Sequence, residues 1–117
     1  MKKGIYKLNI DCGRQGDLSG VFVSTDKYVE KLLECGVEVY FGEVLGKHSE
    51  VYGQIDDNEI KLVTDDSKVV ELFEEFDLSS GINPFQYSQD GNFEIEGVEE
   101  VPDDIIDIIK LLLKLNK

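Results

Sequence analysis

The sequence predicts an α+β domain, an antiparallel sheet of about five to six strands with two to three helices on one side of it. Short segments in which apolar and polar residues alternate are typical of half-buried strands. Two other segments carry apolar residues at helical spacing. The connections are short, which favours antiparallel neighbours. We expect the 117 residues to form a single domain, 1–117, with a core of its own.

The N-terminal half holds most of the predicted strands. Apolar and polar residues alternate on both sides of a glycine-rich turn, which predicts a hairpin over 5–23. Ser24 or Thr25 is placed to cap the helix that follows, and Gly36 is placed to end it. The same alternation predicts three more strands, over 37–41, 51–55 and 60–63.

Two further helices are predicted in the C-terminal half. The first opens at 65–67, and its apolar face is formed by Val69, Leu72, Phe73 and Phe76. Residues 93–98 predict a short edge strand. The last helix, over 102–116, is apolar on more than one face. Such a helix lies inside a core or buries its second face against another subunit, and we expect a homo-oligomer through this helix.

The negative charge lies in one segment, 65–107. It holds fourteen acidic residues and one lysine, a net charge of −13, whereas acids and bases balance in the rest of the chain. Such a segment attracts cationic surfaces and repels nucleic acid, so no direct nucleic-acid binding is expected. Its carboxylates either coat solvent-facing helices or dock on a basic protein. In the second case the partner-binding residues are Glu71, Glu74 and Glu75.

The sequence also predicts a cytoplasmic protein. No apolar run approaches the roughly 18–20 residues of a membrane span, so no membrane contact is expected. Lys2 and Lys3 are not followed by an apolar segment, so we do not expect a signal peptide. Cys12 and Cys35 are expected to be reduced thiols rather than a disulfide.

Two glycine-containing segments of the neutral half hold the candidate ligand-binding residues. Arg14, the single arginine of the chain, lies in the turn of the predicted hairpin. The second segment follows the third strand and holds Tyr40, Glu43, Lys47 and His48. A guanidinium beside glycine N–H groups can bind an anion. The alternative is an ordinary turn and a surface hairpin. Tyr40, Tyr52 or Phe85 would offer a stacking face.

Catalytic and metal sites are weakly indicated. His48 could act as a general base, with Ser49 as a nucleophile, but adjacent residues of a strand point to opposite faces. No catalytic residue is therefore assigned, and an enzyme is not expected. One histidine and two distant cysteines do not make a zinc site. Residues 88–91 lack the flanking acids of a calcium loop, so neither a metal nor a cofactor is predicted.

Three strings of the sequence resemble small uncharacterised proteins of bacteriophages and their bacterial hosts, a group with no established activity. The strings are Gly13-Arg14-Gln15-Gly16 with Gly20 and Phe22, Tyr40-Phe41-Gly42-Glu43-Val44-Leu45-Gly46-Lys47-His48-Ser49-Glu50, and Gly81-Ile82-Asn83-Pro84-Phe85. The resemblance covers residues 5–87. It implies a setting in which small acidic proteins inhibit host defences, some by binding host proteins and others by sequestering nucleotide signals.

Three functional hypotheses follow. The first is a small non-enzymatic binding protein that sequesters a small anionic, nucleotide-like ligand through Arg14, Lys47 and His48. The second is an acidic inhibitor or nucleic-acid mimic that binds a basic host protein through the acidic segment. The third is a hydrolase that uses His48.

Overall fold

This computed structural model describes residues 1–46 and 50–115 of the chain. These residues contain seven strands and three α-helices. The strands are β1 (Lys3–Asp11), β2 (Asp17–Thr25), β3 (Glu38–Gly42), β4 (Val51–Gln54), β5 (Ile60–Thr64), β6 (Ser80–Gly81) and β7 (Ser88–Gln89). The helices are α1 (Asp26–Cys35), α2 (Ser67–Glu75) and α3 (Ile105–Leu115). The predicted α+β class is confirmed.

The strands form two antiparallel sheets rather than one. Sheet A has the order β5-β1-β2-β6, and sheet B has the order β4-β3-β7. β4 and β5 follow each other in the chain but pair with different partners, β3 and β1. The turn between them is closed by the Glu59 N–H, which donates to the Asp56 carbonyl at 3.0 Å. A short turn therefore joins two sheets here and not two strands of a hairpin.

The predicted N-terminal hairpin is confirmed. β1 and β2 pair without interruption from Lys3 opposite Thr25 to Asp11 opposite Asp17. The Thr25 hydroxyl then caps α1 by accepting the Tyr28 N–H at 3.2 Å. Gly36 ends the helix in the left-handed region with φ of 72°. Turn and cap residues act over a few positions, so these features follow directly from the sequence.

Helices cover both faces of sheet A, so the prediction that they lie on one side is wrong. One face carries the main core, where Leu8 and Phe22 pack with Leu32 of α1, Val39 of β3 and Ile109 of α3. The opposite face carries α2, and there Ile5 packs against Val70 and Phe73. Sheet A is thus the middle layer of the molecule, and its two faces belong to separate apolar clusters.

The face that α2 buries differs from the predicted one. Phe73 is buried as expected, but its companion is Val70, whereas Val69, Leu72 and Phe76 are exposed. The apolar sector of this helix is wider than the strip that the sheet covers. Because Val69 and Val70 are both valines, the sequence pattern could not show which of them faces the sheet.

The C-terminus of α2 contains a non-glycine residue with positive φ. Asp77 has φ of 50°, the Asp77 N–H donates to the Glu74 carbonyl at 3.2 Å and the Leu78 N–H donates to the Phe73 carbonyl at 3.0 Å. This pattern is a Schellman motif, in which glycine is the favoured residue at the left-handed position. An Asp there carries a steric cost that glycine avoids.

We therefore expect Asp77→Gly to stabilise the protein by about 0.5–1 kcal/mol, because it removes this cost while the two hydrogen bonds remain. The measurement is the midpoint of urea unfolding. Asp57→Gly is the matched control, since it deletes another exposed carboxylate in a turn with no such backbone requirement. If the urea midpoint rises equally in both variants, the gain in stability comes from the lost charge and not from the backbone conformation.

α3 is a core helix that begins later than predicted, at Ile105 rather than at 102. Ile105, Ile108 and Ile109 are fully buried, and Asp104 forms a β-bridge with Ser88 just before the helix. The predicted end, residue 116, lies outside the described residues. The predicted strand over 93–98 is wrong, because those residues form an irregular loop and the third strand of sheet B is β7.

Candidate binding surface

The two predicted glycine-containing segments meet in the structure. Arg14 is exposed in a 3-10 turn between β1 and β2. A Cβ atom built on Gly16 would lie 3.9 Å from Leu45 Cδ2, so this turn touches the loop that follows β3. Lys47 and His48, two of the predicted ligand-binding residues, lie outside the described residues, as does Ser49.

Tyr40 and Tyr52 stand side by side on sheet B. They are direct cross-strand partners on β3 and β4, so both side chains project from the same face of the sheet. Tyr40 is half-buried, and Tyr52 is 59% exposed. Phe85, the third candidate stacking residue, is buried against Phe22 and Tyr28 in the main core. The stacking face open to a ligand is therefore the tyrosine pair.

The surroundings of Tyr40 are acidic. Partial desolvation raises the pKa of Tyr40, and hydrogen bonding to Glu50 and the charges of Glu50 and Glu43 raise it further. A phenol beside two carboxylates stays protonated, and the two carboxylates repel an anion. Glu43, which was predicted to bind the ligand together with the cations, thus strengthens the negative potential at this position.

An open basin of about 700 Å³ lies beside sheet B. We call it the acidic basin, and its lining consists of Gln89, Gly91, Phe93, Glu94, Ile95, Glu96, Val98, Glu99, Val101 and Asp103. The four apolar residues are half-buried, whereas the four carboxylates are exposed. The lining contains no lysine or arginine within the described part of the chain. Apolar surface surrounded by carboxylates is suited to a cationic, partly apolar partner.

Gln89 holds the basin in shape. Its side chain is 9% exposed, donates from Nε2 to the Pro102 carbonyl at 2.8 Å, and accepts the Phe93 N–H on Oε1 at 2.9 Å. One buried amide therefore fixes both ends of the irregular loop. Sequence reasoning missed the basin because Phe93 and Ile95 alternate with glutamates, a pattern that an extended loop and an edge strand share.

A pair of carboxyl groups joins the basin to the face of sheet B. Glu38 on β3 lies beside Asp90, and the hydrogen bond with Asp90 together with its charge raises the pKa of Glu38. The same hydrogen bond lowers the pKa of Asp90, with further lowering by the Asn92 N–H at 3.1 Å. A cation that binds between these two acids would offset the repulsion between their negative charges.

The predicted partner-binding residues on α2 are partly compensated within the chain. Glu74 forms an ion pair with Lys3 at 3.2 Å, and Asp65, just before the helix, pairs with Lys2 at 3.5 Å. Glu71 and Glu75 are exposed. The fold thus brings two bases of the neutral half to the first part of the acidic segment. Among the described residues, the four carboxylates that line the basin have no such ion-pair partner.

The two cysteines of the described residues are not activated as nucleophiles. Burial raises the pKa of both free thiols, Cys12 and Cys35, so near neutral pH they are poor nucleophiles. The same residues contain no group of three or more His, Cys, Asp or Glu side chains placed to hold a metal ion. None of the helices in these ranges combines the length and the apolar character needed to cross a membrane.

No protein-family model, curated protein or solved structure matches the chain.

Proposed function

We propose that this protein is a non-enzymatic binding protein that captures a basic segment of another protein. The acidic basin is the observation that supports the proposal best. It combines four exposed carboxylates with four half-buried apolar side chains and lacks a compensating base among the described residues of its lining. The apolar residues would take up the stems or neighbouring apolar side chains of the segment, and the carboxylates would take its lysines and arginines.

The adjoining face of sheet B extends this surface. Glu38 and Asp90 offer a second carboxyl pair, and Tyr40 and Tyr52 offer aromatic faces next to Glu50. A lysine or arginine over a tyrosine ring gains cation–π attraction of about 0.5–1 kcal/mol at an exposed site. Tyrosine is also enriched at protein interfaces. A basic segment that contacts both the acidic basin and this face of sheet B would be longer than one that fills the basin alone.

The small anionic ligand is the weaker candidate on this geometry. Arg14 and the loop after β3 do lie together, as that hypothesis requires. However, the described residues around Tyr40 are Glu43 and Glu50, whose negative charge opposes an anion. The same two carboxylates attract a basic protein partner.

The test uses a fluorescent peptide that combines lysines with leucines. Its binding is measured by fluorescence anisotropy at low and at high ionic strength. The triple variant Glu94→Gln, Glu96→Gln, Glu99→Gln should weaken binding by about 3- to 100-fold, because three lost charge pairs at about 0.2–1 kcal/mol each sum to about 0.6–3 kcal/mol. Salt should weaken binding to the unchanged protein in the same direction.

The matched control is Glu71→Gln, Glu75→Gln, Asp77→Asn, which removes the same amount of charge from the region of α2. It should leave the affinity within about twofold, since these residues lie outside the basin. Equal losses in the two triple variants would show that only net charge matters and would contradict a site in the basin. An affinity insensitive to salt would contradict the proposal as a whole.

A further inference from the structure

One edge of sheet A is only partly covered. β6 pairs with β2 at two positions, where Gly81 lies opposite Gly20 and Ser80 lies opposite Val21. β2 continues past these positions to Thr25, and no strand of the described residues pairs with it there on that side. We call residues 22–25 of β2 the open edge. Backbone groups that point outward from the open edge are not used by the sheet.

The hairpin register shows which backbone groups point outward at the open edge. The Asp26 N–H donates to the Lys2 carbonyl at 3.0 Å, and this pair continues the register of β1 and β2. In an antiparallel pair, residues that bond to the partner strand alternate with residues that do not, so Ser24 bonds to β1 and Val23 does not. The N–H and C=O groups of Val23 therefore point outward, as does the Thr25 N–H. Neither Val23 group has a backbone hydrogen-bond partner among the described residues.

A cleft of about 420 Å³ lies along the open edge, and we call it the edge cleft. Its walls come from β2, from the first turns of α1 and α3, from the 3-10 turn Pro84–Gln86, and from an ion pair between β1 and α2. Its volume lies within the range of about 300–1,000 Å³ that is usual for ligand sites. It shares no lining residue with the acidic basin, so the two are separate sites.

The edge cleft has one wall on each face of sheet A. The apolar wall, on the face of the main core, is formed by Tyr28, Phe85 and Ile106. The polar wall, on the face that carries α2, is formed by Lys3 and Glu74, whose charged groups are 3.2 Å apart. The backbone of the open edge runs between the two walls. An occupant of the cleft therefore meets backbone hydrogen-bonding groups in the middle and different side chains on its two sides.

We propose that the edge cleft binds an extended peptide segment of another protein, which adds to sheet A as a strand antiparallel to β2. A strand is the occupant that the open edge selects, because its own backbone presents a carbonyl and an N–H at matching positions. Val23 exchanges two hydrogen bonds with the segment, and the Thr25 N–H donates a third. The direction follows from sheet A, in which every neighbouring pair is antiparallel. This peptide site lies outside the acidic basin and goes beyond the proposed function.

The two walls determine which side chains the segment carries. Ser24 lies two positions from Phe22, so it faces the main core, and the segment residue opposite Ser24 projects toward the apolar wall. That residue is apolar. Its two neighbours project toward the polar wall and are polar, and they are uncharged because Lys3 and Glu74 already compensate each other. The partner thus presents one apolar residue between two uncharged polar residues.

The test adds the end-blocked peptide Ser-Thr-Leu-Thr-Ser to the full chain, up to about 5 mM, and follows amide hydrogen exchange by NMR. The amides of Val23 and Thr25 should exchange about tenfold more slowly at saturation, because strand pairing protects them from water. Leu62 is the internal control. The Asn9 N–H donates to the Glu59 carbonyl at 2.8 Å, so by the same alternation the Leu62 amide faces the outer edge of β5, on the far side of sheet A. Its exchange rate should not change.

Two N-methylated peptides test the pairing of the backbones. In the antiparallel arrangement, the threonine that follows the leucine lies opposite Val23 and donates its N–H to the Val23 carbonyl. N-methylation of this threonine should weaken binding by about tenfold, because it removes that hydrogen bond. The leucine N–H points away from β2, so N-methylation of the leucine should change the affinity by no more than about twofold.

Three results would overturn the proposal. The first is an unchanged exchange rate of the Val23 amide at the highest peptide concentration. The second is protection of the Leu62 amide equal to that of Val23, which would show that the peptide adds to either edge of sheet A. The third is an equal loss of affinity for the two methylated peptides, which would show that the backbone of the peptide does not pair with β2.

Discussion

Gly20→Ala is expected to destabilise the protein by about 3 kcal/mol or more, a large part of the stability of a small domain. Gly20 of β2 lies opposite Gly81 of β6, and a Cβ on Gly20 would run into the backbone of Ile82, 2.6 Å from its nitrogen. A Cβ on Gly81 would in turn lie 2.9 Å from the Cα of Gly20. Backbone cannot move aside as a side-chain end does, so β6 must separate from β2.

Urea unfolding followed by circular dichroism measures this effect. Gly46→Ala is the matched control, because a Cβ at Gly46 would meet no atom of the described residues within 4 Å and the position has no positive φ. It should change the free energy of unfolding by no more than about 0.5 kcal/mol. If both variants unfold at the same urea concentration, the close approach of β2 and β6 at Gly20 is wrong.

Ile109→Ala is expected to cost about 2–5 kcal/mol, since it opens a cavity in the main core. Ile109 is fully buried within the monomer, with Ile105 and Ile108 beside it on α3. The loss should be the same at low and high protein concentration, because the contacts that Ile109 makes are within one chain. Urea unfolding at two concentrations separated by about a hundredfold is the measurement.

Leu115→Ala, at the exposed end of the same helix, serves as the comparison and should cost less than about 0.5 kcal/mol. A loss for Ile109→Ala that grows on dilution would mean that α3 is stabilised by another subunit. That outcome would return the expected homo-oligomer interface to residues 102–116.

The elements that sequence reasoning predicted correctly depend on signals close together in the chain. The hairpin over Lys3–Thr25 follows from alternation on both sides of a glycine-rich turn, and α1 follows from a Thr25 cap and a C-terminal Gly36. The division of β4 and β5 between two sheets depends on pairing with strands far away in sequence, for which neither segment carries a local signal.

The candidate site was predictable to a smaller extent. Tyr40 was singled out, but its pairing with Tyr52 and the acids near it became visible only with the strand register. The sequence predicts a strand over 93–98 where the structure has the acidic basin, because the side chain that shapes the basin, Gln89, acts on residues four and thirteen positions away. A buried glutamine that joins two turns of an irregular loop has no periodic pattern in sequence.

The order of the chain has a consequence for its synthesis. Sheet A requires β6 at Ser80–Gly81, sheet B requires β7 at Ser88–Gln89, and the main core requires Ile109 near the C-terminus. A nascent chain that has emerged only as far as α2 can therefore form the first hairpin and pack α1 on it, but it lacks Phe85 and the α3 isoleucines that complete the core around Leu8 and Phe22. Such a species offers an exposed apolar surface to chaperones and to other nascent chains until α3 has been synthesised. Slow translation of the segment from β6 to α3 would prolong that exposure.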